Sequence, residues 1–343
     1  MRQLLNTLFV TSEDIYLSLD GENVVAKKGD TVAARYPLHT FEHIVTFSYA
    51  GASPALMGKC VKAGIGLSFF SPSGKFLAKV HGTSSGNVLL RREQYRIADD
   101  DSKSALIVKN MVIGKIFNSR ASIERTKRDH ALAVDTDKLQ NASDQLAGLL
   151  NRIKEEGEVN TVRGLEGAGA TIYFGVFDEL ILRNKKQFYF HGRSRRPPLD
   201  KVNAMLSFAY SMLANDCAYA LEGVGLDSFV GMLHKDRPGR TSLGLDLMEE
   251  LRPSFADRFV LTAINNRIIQ ASDFESFEDG AVKMTDAARK RFIKAWQDRK
   301  KEVITHPYLQ EKVMWGLVPH IQALLLARHI RGDIEQYPSF MWK

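Results

Sequence analysis

At 343 residues the chain exceeds the roughly 250–300 residues at which a single hydrophobic core stops growing, so two domains are expected. An apolar content of 44% and a charged content of 25% are ordinary globular values and exclude a disordered or low-complexity protein. Lysine and arginine outnumber aspartate and glutamate by 47 to 40, a net charge of +7 that points to nucleic acid only where the cations cluster.

The opening residues, MRQLLNTLFVTSED, hold an apolar run broken by Asn6 and Thr7, too short for a secretory leader. No stretch reaches the roughly 18 apolar residues of a membrane span. Two cysteines, Cys60 and Cys217, lie far apart, each in an apolar helix-like run. They read as reduced core thiols of a soluble, cytoplasmic protein.

Up to about residue 81 the pattern is that of strands: Leu4–Val10, Ile15–Leu19, Val24–Lys27, Thr31–Tyr36 and Ile44–Tyr49, joined by short turns such as Asp20-Gly21 and Gly29-Asp30 and therefore expected to form hairpins. Ser53 and Pro54 predict the cap and first turn of a helix that Gly64 ends near Lys62. Strands Ile65–Ser71 and Lys75–Val80 follow, about a Pro72-Ser73-Gly74 turn. The glycine and serine stretch Gly82–Gly86 reads as a joint. The boundary is placed there, between a domain of residues 1–83 and one of 84–343.

Beyond the joint the apolar period becomes helical. It predicts helices over Val88–Ile97, Ser102–Thr126, Asp135–Glu155, Asn160–Leu182, Asp200–Gly223, Ser242–Phe259 with a break at Pro253, Thr285–Glu302 and Gln310–Arg331. No intervening strand is expected. The fold class is α+β: a small N-terminal β-sandwich-like domain with one helix, then a larger all-α domain.

Cations gather at Arg91–Arg96, at Arg120–Arg128 and in the loop HGRSRRPPLDK, which carries Arg193, Arg195 and Arg196. Arginine forks on a loop suit phosphate oxygens, although solvated surface arginines are the plain alternative.

The segment GMLHKDRPGRTSLGLDLMEELRPSFADR sets His234 in a loop edged by Lys235, Arg237 and Arg240, followed by a helix bearing Asp246, Glu249 and Glu250. Helical spacing places these acids on an edge opposite Leu247, Met248 and Leu251, expected to face away from the core toward the His234 loop. A second acid, Glu166, shares a helix face with Val162, Gly169, Ala170 and Tyr173, small neighbours expected to leave room for something bound. One imidazole with several carboxylates suits magnesium or manganese better than zinc, and such an ion could polarise a phosphodiester. Plain readings stand beside this one. Glu166 is then half of a buried pair with Arg163 or a distant arginine, His234 a structural histidine, the α-helical acids complements of the helix dipole, and Asp257 a cap in the broken helix.

The segments RGLEGAGATIYF with Glu166, GMLHKDRPGRTSLGLDLMEELRP with His234, Asp246 and Glu249, and KVNAMLSFAYSML with Asn203 resemble the CRISPR-associated integrase of spacer acquisition, the first of the Cas proteins. The N-terminal region resembles that family's β-domain, and the ending HPYLQEKVMWGLVPHIQALLLARHIRGDIEQYPSFMWK resembles the form accompanying subtype I-C systems. This likeness implies a homodimer formed through the β-domain, a helical catalytic domain, and Mg2+ or Mn2+ held by Glu166, His234 and Glu249 with Asp246 beside them. Glu249 stands where some members have aspartate, and Thr171 where many have arginine. The implied reaction is attack of a prespacer 3′-hydroxyl on a phosphodiester of the CRISPR repeat, with hydrolysis as the same chemistry using water. A small ferredoxin-like CRISPR-associated subunit is the implied partner, and double-stranded DNA would follow Arg163, Arg193, Arg195, Arg196, Lys235, Arg237 and Arg240. The rival readings are a stand-alone junction or repair nuclease and a non-catalytic basic DNA-binding scaffold.

Overall fold

The computed structural model describes residues 7–12, 14–41, 43–71, 76–80, 82 and 88–342. The start of the expected Leu4–Val10 strand, the Pro72-Ser73-Gly74 turn and most of the Gly82–Gly86 joint lie outside these residues. The chain forms two compact units, Met1–Ser85 with Met284–Lys301, and Gly86–Lys283 with Glu302–Lys343.

The first unit is β-rich. β1 (Thr7–Val10), β2 (Ile15–Asp20), β3 (Asn23–Lys28), β4 (Thr31–Pro37) and β5 (His43–Thr46) precede helix α1 (Pro54–Ala63), and β6 (Gly66–Phe70) and β7 (Phe76–Lys79) follow it. Strands β2, β3 and β4 pair antiparallel as expected. Their two tight turns place Gly21 and Gly29 at φ of 58° and 57°, where an L side chain would be strained. The second sheet departs from the hairpin expectation: its order is β1-β5-β6-β7, with β1, β5 and β6 parallel. Parallel neighbours require a crossover, and α1 supplies it between β5 and β6. Helix α1 is bounded by the expected residues. Ser53 Oγ accepts the Leu56 N–H at 3.2 Å, Pro54 opens the first turn, and Gly64 closes it at φ of 68°. Leu17, Ile44, Leu56, Cys60 and Leu67 share the buried core.

In the second unit, α2 (Val88–Ala98), α3 (Asp101–Asp129), α4 (Thr136–Glu155), α5 (Val159–Gly175) and α6 (Lys201–Gly223) lead to α7 (Ser242–Glu249) and α8 (Arg258–Asn265). Asp100, Asp135 and Asp200 cap α3, α4 and α6 by accepting backbone N–H groups. Helix α3 packs on α4, α5 and α7, and α6 packs on α7. The segment Ser242–Phe259 is interrupted as foreseen: Arg252–Asp257 is π-helical, because Pro253 has no N–H to continue the α ladder.

Two short ribbons correct the all-helical expectation, β8 (Phe274–Ser276) with β9 (Val282–Met284), and β10 (Val303–Thr305) with β11 (Lys312–Met314). Helix α9 (Asp286–Lys301) belongs to the first unit. The final helix, α10 (Val318–Ile330), starts later than Gln310. Residues before it pair as β11, and Pro319 sits in the first turn of α10, where its missing N–H costs nothing.

Candidate active site

Helices α3, α5 and α7 bring together charged groups that are far apart in sequence. The acids of α7, and Glu250 at its end, are buried, not turned away from the core as expected: Asp246 and Glu250 are 0% exposed and Glu249 is 2% exposed. A buried carboxylate must be fully compensated, and each of the three is compensated differently.

Asp246 is wrapped by its own upstream loop. Its Oδ2 accepts the N–H groups of Met232 at 2.7 Å and Leu233 at 2.9 Å. Its Oδ1 accepts the His234 N–H at 2.9 Å and contacts His234 Nδ1 at 2.6 Å. With every oxygen of Asp246 engaged, its role is to shape the loop and fix the imidazole. Donation from Nδ1–H, inferred from this geometry, fixes the ring with Nε2 on the side away from Asp246. That Nε2 lies 3.9 Å from Glu249 Oε1. Arg163 fastens the same loop to α5, donating from Nε and Nη2 to the Leu233 carbonyl at 2.9 and 2.6 Å. Gly231 permits the sharp return: a Cβ there would meet the His234 carbonyl at 2.6 Å.

Glu249 lies among cations. Arg252 Nη1 is 3.1 Å from its Oε1 and Lys115 Nζ 2.7 Å from its Oε2. Burial alone would raise its pKa, but Arg252, Lys115 and His234 outweigh burial and hold the carboxyl at about 2. Lys115 also contacts Glu166 Oε1. Glu166, Lys115, Glu249 and His234 are thus linked in series. The guanidinium of Arg252 lies 4.9 Å from the Tyr210 ring centroid, and Tyr210 donates its hydroxyl to Asp257 at 2.6 Å. Asp257 is therefore a buried acceptor with no capping bond, which corrects the reading of it as a cap. Burial raises its pKa to about 6.

The basic residues divide into two groups. Arg195, Arg196, Lys235 and Arg237 are exposed. Arg240 is held below the ordinary arginine value by burial and then by Arg237 and Arg196, so the 191–200 and 235–240 loops contribute to one positive patch. Arg193 is committed to the fold: Nη1 donates to Ser194 O and Asn203 Oδ1, both at 2.6 Å. Arg163 is likewise occupied with the His234 loop.

The expectation of open space beside Glu166 is corrected at Gly169, where a Cβ would lie 2.9 Å from Ile116 Cδ1. The small residue admits close approach of α3 to α5. Sequence reasoning passed over Lys115, Arg252 and Tyr210. For Lys115 a signal existed: Lys115, Asn118, Ser119 and Ser122 recur at three- and four-residue spacing among apolar neighbours, a polar stripe that the fold buries.

Among the described residues no three His, Cys, Asp or Glu side chains already stand as a metal-binding group. The donor chemistry nevertheless fits a hard divalent ion. Glu166 and Glu249 both contact Lys115 Nζ, and His234 Nε2 lies 3.9 Å from Glu249 Oε1, so two carboxylates and an imidazole are gathered through neighbouring contacts.

A family model described as CRISPR associated protein Cas1 matches residues 8–298. The chain is 48% identical over 343 residues to CRISPR-associated endonuclease Cas1 1 of Chlorobaculum tepidum, with 100% of both chains covered. It is 47% identical over 347 residues to CRISPR-associated endonuclease Cas1 2 of Rhodospirillum rubrum, again with both fully covered. Among solved structures it is similar in fold to a casposase bound to integration product, with a TM-score of 0.83, 21% identity, and 98% and 93% of the two chains covered. It is similar also to a Cas1 protein from Thermotoga maritima, with a TM-score of 0.82, 21% identity, and 95% and 97% covered.

Proposed function

The chain belongs to the CRISPR-associated protein Cas1 family, and from that premise we propose a divalent-metal-dependent DNA integrase that inserts short prespacer DNA into the CRISPR repeat. The names of the relatives support endonuclease activity; integration with a bound divalent ion is the finer reading. The observation that carries the finer one is the Asp246–His234 lock, which aims Nε2 toward Glu249 while Glu166 is gathered through Lys115.

Glu166, His234 and Glu249 would hold Mg2+ or Mn2+, which when bound supplies charge stabilisation at a phosphodiester. The chain's own residues do the rest. Asp246 keeps the proton on Nδ1, so the imidazole presents a lone pair. Arg252 keeps Glu249 ionised, while Arg163 and Asp246 together hold the His234 loop in register with α5. Arg195, Arg196, Lys235, Arg237 and Arg240 engage the DNA backbone, whereas Arg163 and Arg193 act by holding the scaffold. The reaction is a transesterification. The 3′-oxygen of the prespacer forms a bond to phosphorus, the bond from phosphorus to the 3′-oxygen of the repeat strand breaks, and the proton lost by the attacking hydroxyl is balanced by one gained at the leaving oxygen. Water in place of the prespacer hydroxyl gives hydrolysis.

The proposal includes a homodimer formed through the β-rich N-terminal domain, a small ferredoxin-like CRISPR-associated partner, and a cytoplasmic setting. A Cas6-RT-Cas1–Cas2 complex among the fold neighbours and the absence, among the described residues, of a helix long and apolar enough to cross a membrane are in keeping with it. Resemblance of the C-terminal segment supports the subtype I-C form. Incubation of a short duplex with repeat-bearing plasmid and purified partner, with and without Mn2+, tests the function. Joined strand-transfer products that require Mn2+ are expected. Cut strands without joining would favour a stand-alone junction nuclease, and DNA binding with neither product would favour a scaffold.

A further inference from the structure

The side chain standing between the two candidate metal carboxylates is itself a cation. Lys115 reaches from α3 with Nζ in contact with Glu166 Oε1 and 2.7 Å from Glu249 Oε2, and its side chain is 8% exposed. An ammonium buried to this degree is tolerated only when paired, and its two partners are carboxylates that the metal reading also uses. A divalent ion and an ammonium on the same oxygens repel each other, and the pair of carboxylates cannot compensate both in one place.

We propose that Lys115 is the resident counter-cation of this site, neutralising Glu166 and Glu249 when no divalent ion is held and leaving the space between them when one enters. The inference rests on the reading that Glu166, His234 and Glu249 take a divalent ion. Metal affinity is then set by competition with a tethered ammonium.

Three observations carry it. Glu249 Oε2 has Lys115 Nζ at 2.7 Å and no further hydrogen-bond donor, so the departure of that one side chain frees the oxygen. Arg252 occupies the other oxygen, Oε1, at 3.1 Å, so Glu249 keeps a partner when Lys115 departs. The cation is a lysine, a compact charge on a flexible four-carbon stem that can swing aside, where a guanidinium fork would lock bidentately onto the carboxylate. The site thereby stays ordered without metal instead of springing apart under the repulsion of its own acids.

Lys115→Met keeps most of the stem and removes the charge. Calorimetric titration of Mn2+ into the full-length variant is expected to give a dissociation constant at least about tenfold lower than that of the wild type. Its thermal midpoint is expected to drop in chelator and to recover in saturating Mn2+. A folded variant whose Mn2+ affinity is unchanged or weaker overturns the proposal. Amine acylation of the wild-type protein, quantified at Lys115 by mass spectrometry, decides the matter even if the variant does not fold. Labelling several-fold faster with saturating Mn2+ than with chelator is expected, and equal labelling overturns it. Glu249→Gln in the same titration separates the two layers. If that variant loses Mn2+ binding while Lys115→Met matches the wild type, the metal site stands and the counter-cation role falls. If Glu249→Gln binds Mn2+ as the wild type does, the metal reading fails and the role of Lys115 fails with it.

Discussion

Glu249 and Glu250 are adjacent in sequence and both buried, yet their carboxyls are driven in opposite directions. Glu249, among Arg252, Lys115 and His234, is held at about 2 despite burial, whereas burial raises Glu250 to about 7 against the opposing hydrogen bonds from Tyr337, the Phe340 N–H and Gln322. Consecutive helical residues project about 100° apart, which sends one acid to the candidate site and the other to the C-terminal segment. Glu250 Oε2 accepts the Phe340 N–H at 2.8 Å, and Oε1 accepts from Gln322 Nε2 at 2.9 Å and from the Tyr337 hydroxyl. Asn118 completes the tie by donating to the carbonyls of Glu250 at 2.8 Å and Phe340 at 2.7 Å.

Tyr337→Phe removes one donor from the buried Glu250 carboxyl. A loss of about 1–3 kcal/mol in unfolding free energy is expected, read as a lower urea midpoint at unchanged slope. A midpoint equal to that of the wild type would mean that this tie contributes nothing.

His306 makes the second unit acid-sensitive. It is fully buried; its Nε2 lies 3.2 Å from Gln322 Oε1 and its Nδ1 accepts the Leu309 N–H at 3.3 Å. Burial lowers its pKa from 6.5 to about 4, against a smaller upward pull from Gln322. Because the folded value lies below the unfolded one, the folded state binds fewer protons in that window. The contribution is complete above about pH 6.5 and is lost as pH falls toward about 4, on the order of 3 kcal/mol in all. His306→Gln should flatten that part of the stability–pH curve. Parallel curves for variant and wild type would contradict the assignment.

Asp246→Asn leaves the shape but disturbs the acceptors that hold the loop and the Nδ1 proton. Loss of an orienting carboxylate costs about 10–100-fold in metal affinity or activity in comparable sites, so Mn2+ affinity and cleavage should both fall within that range while duplex binding stays near wild type. Unaltered Mn2+ affinity would show that His234 needs no orientation.

The exposed arginines and the half-buried ones tied to the fold should separate by salt. Each phosphate contact contributes about 0.9 to the slope of log K against log salt, so replacing Arg195, Arg196 and Arg237 together by alanine should lower the slope by up to about 3. Arg163→Ala should leave the slope unchanged and slow turnover, because its donors hold Leu233 O. A reduced slope in Arg163→Ala would place that guanidinium on DNA after all.

Local signals proved reliable where one residue type settles the backbone. Ser53, Pro54 and Gly64 delimited α1, Pro253 marked the break, and Gly21 and Gly29 marked hairpin turns. Parallel pairing of β1, β5 and β6 was not legible, since alternation within a strand carries no information on which neighbour it joins. At the site the acids and histidine were readable as chemistry, but their burial was not: Glu249 lies on the polar edge of α7, yet α3 covers it with Lys115. Arg163 and Arg193 look like any surface arginine until the carbonyl and amide groups they bind come into view.

Mn2+ titration followed by electron paramagnetic resonance distinguishes a divalent ion shared by Glu166, His234 and Glu249 from a purely structural cluster. Glu166→Gln, His234→Ala and Glu249→Gln should each abolish high-affinity Mn2+ uptake in folded protein, together with Mn2+-dependent strand transfer. Three folded variants that take up Mn2+ with wild-type stoichiometry and affinity would contradict the shared ion.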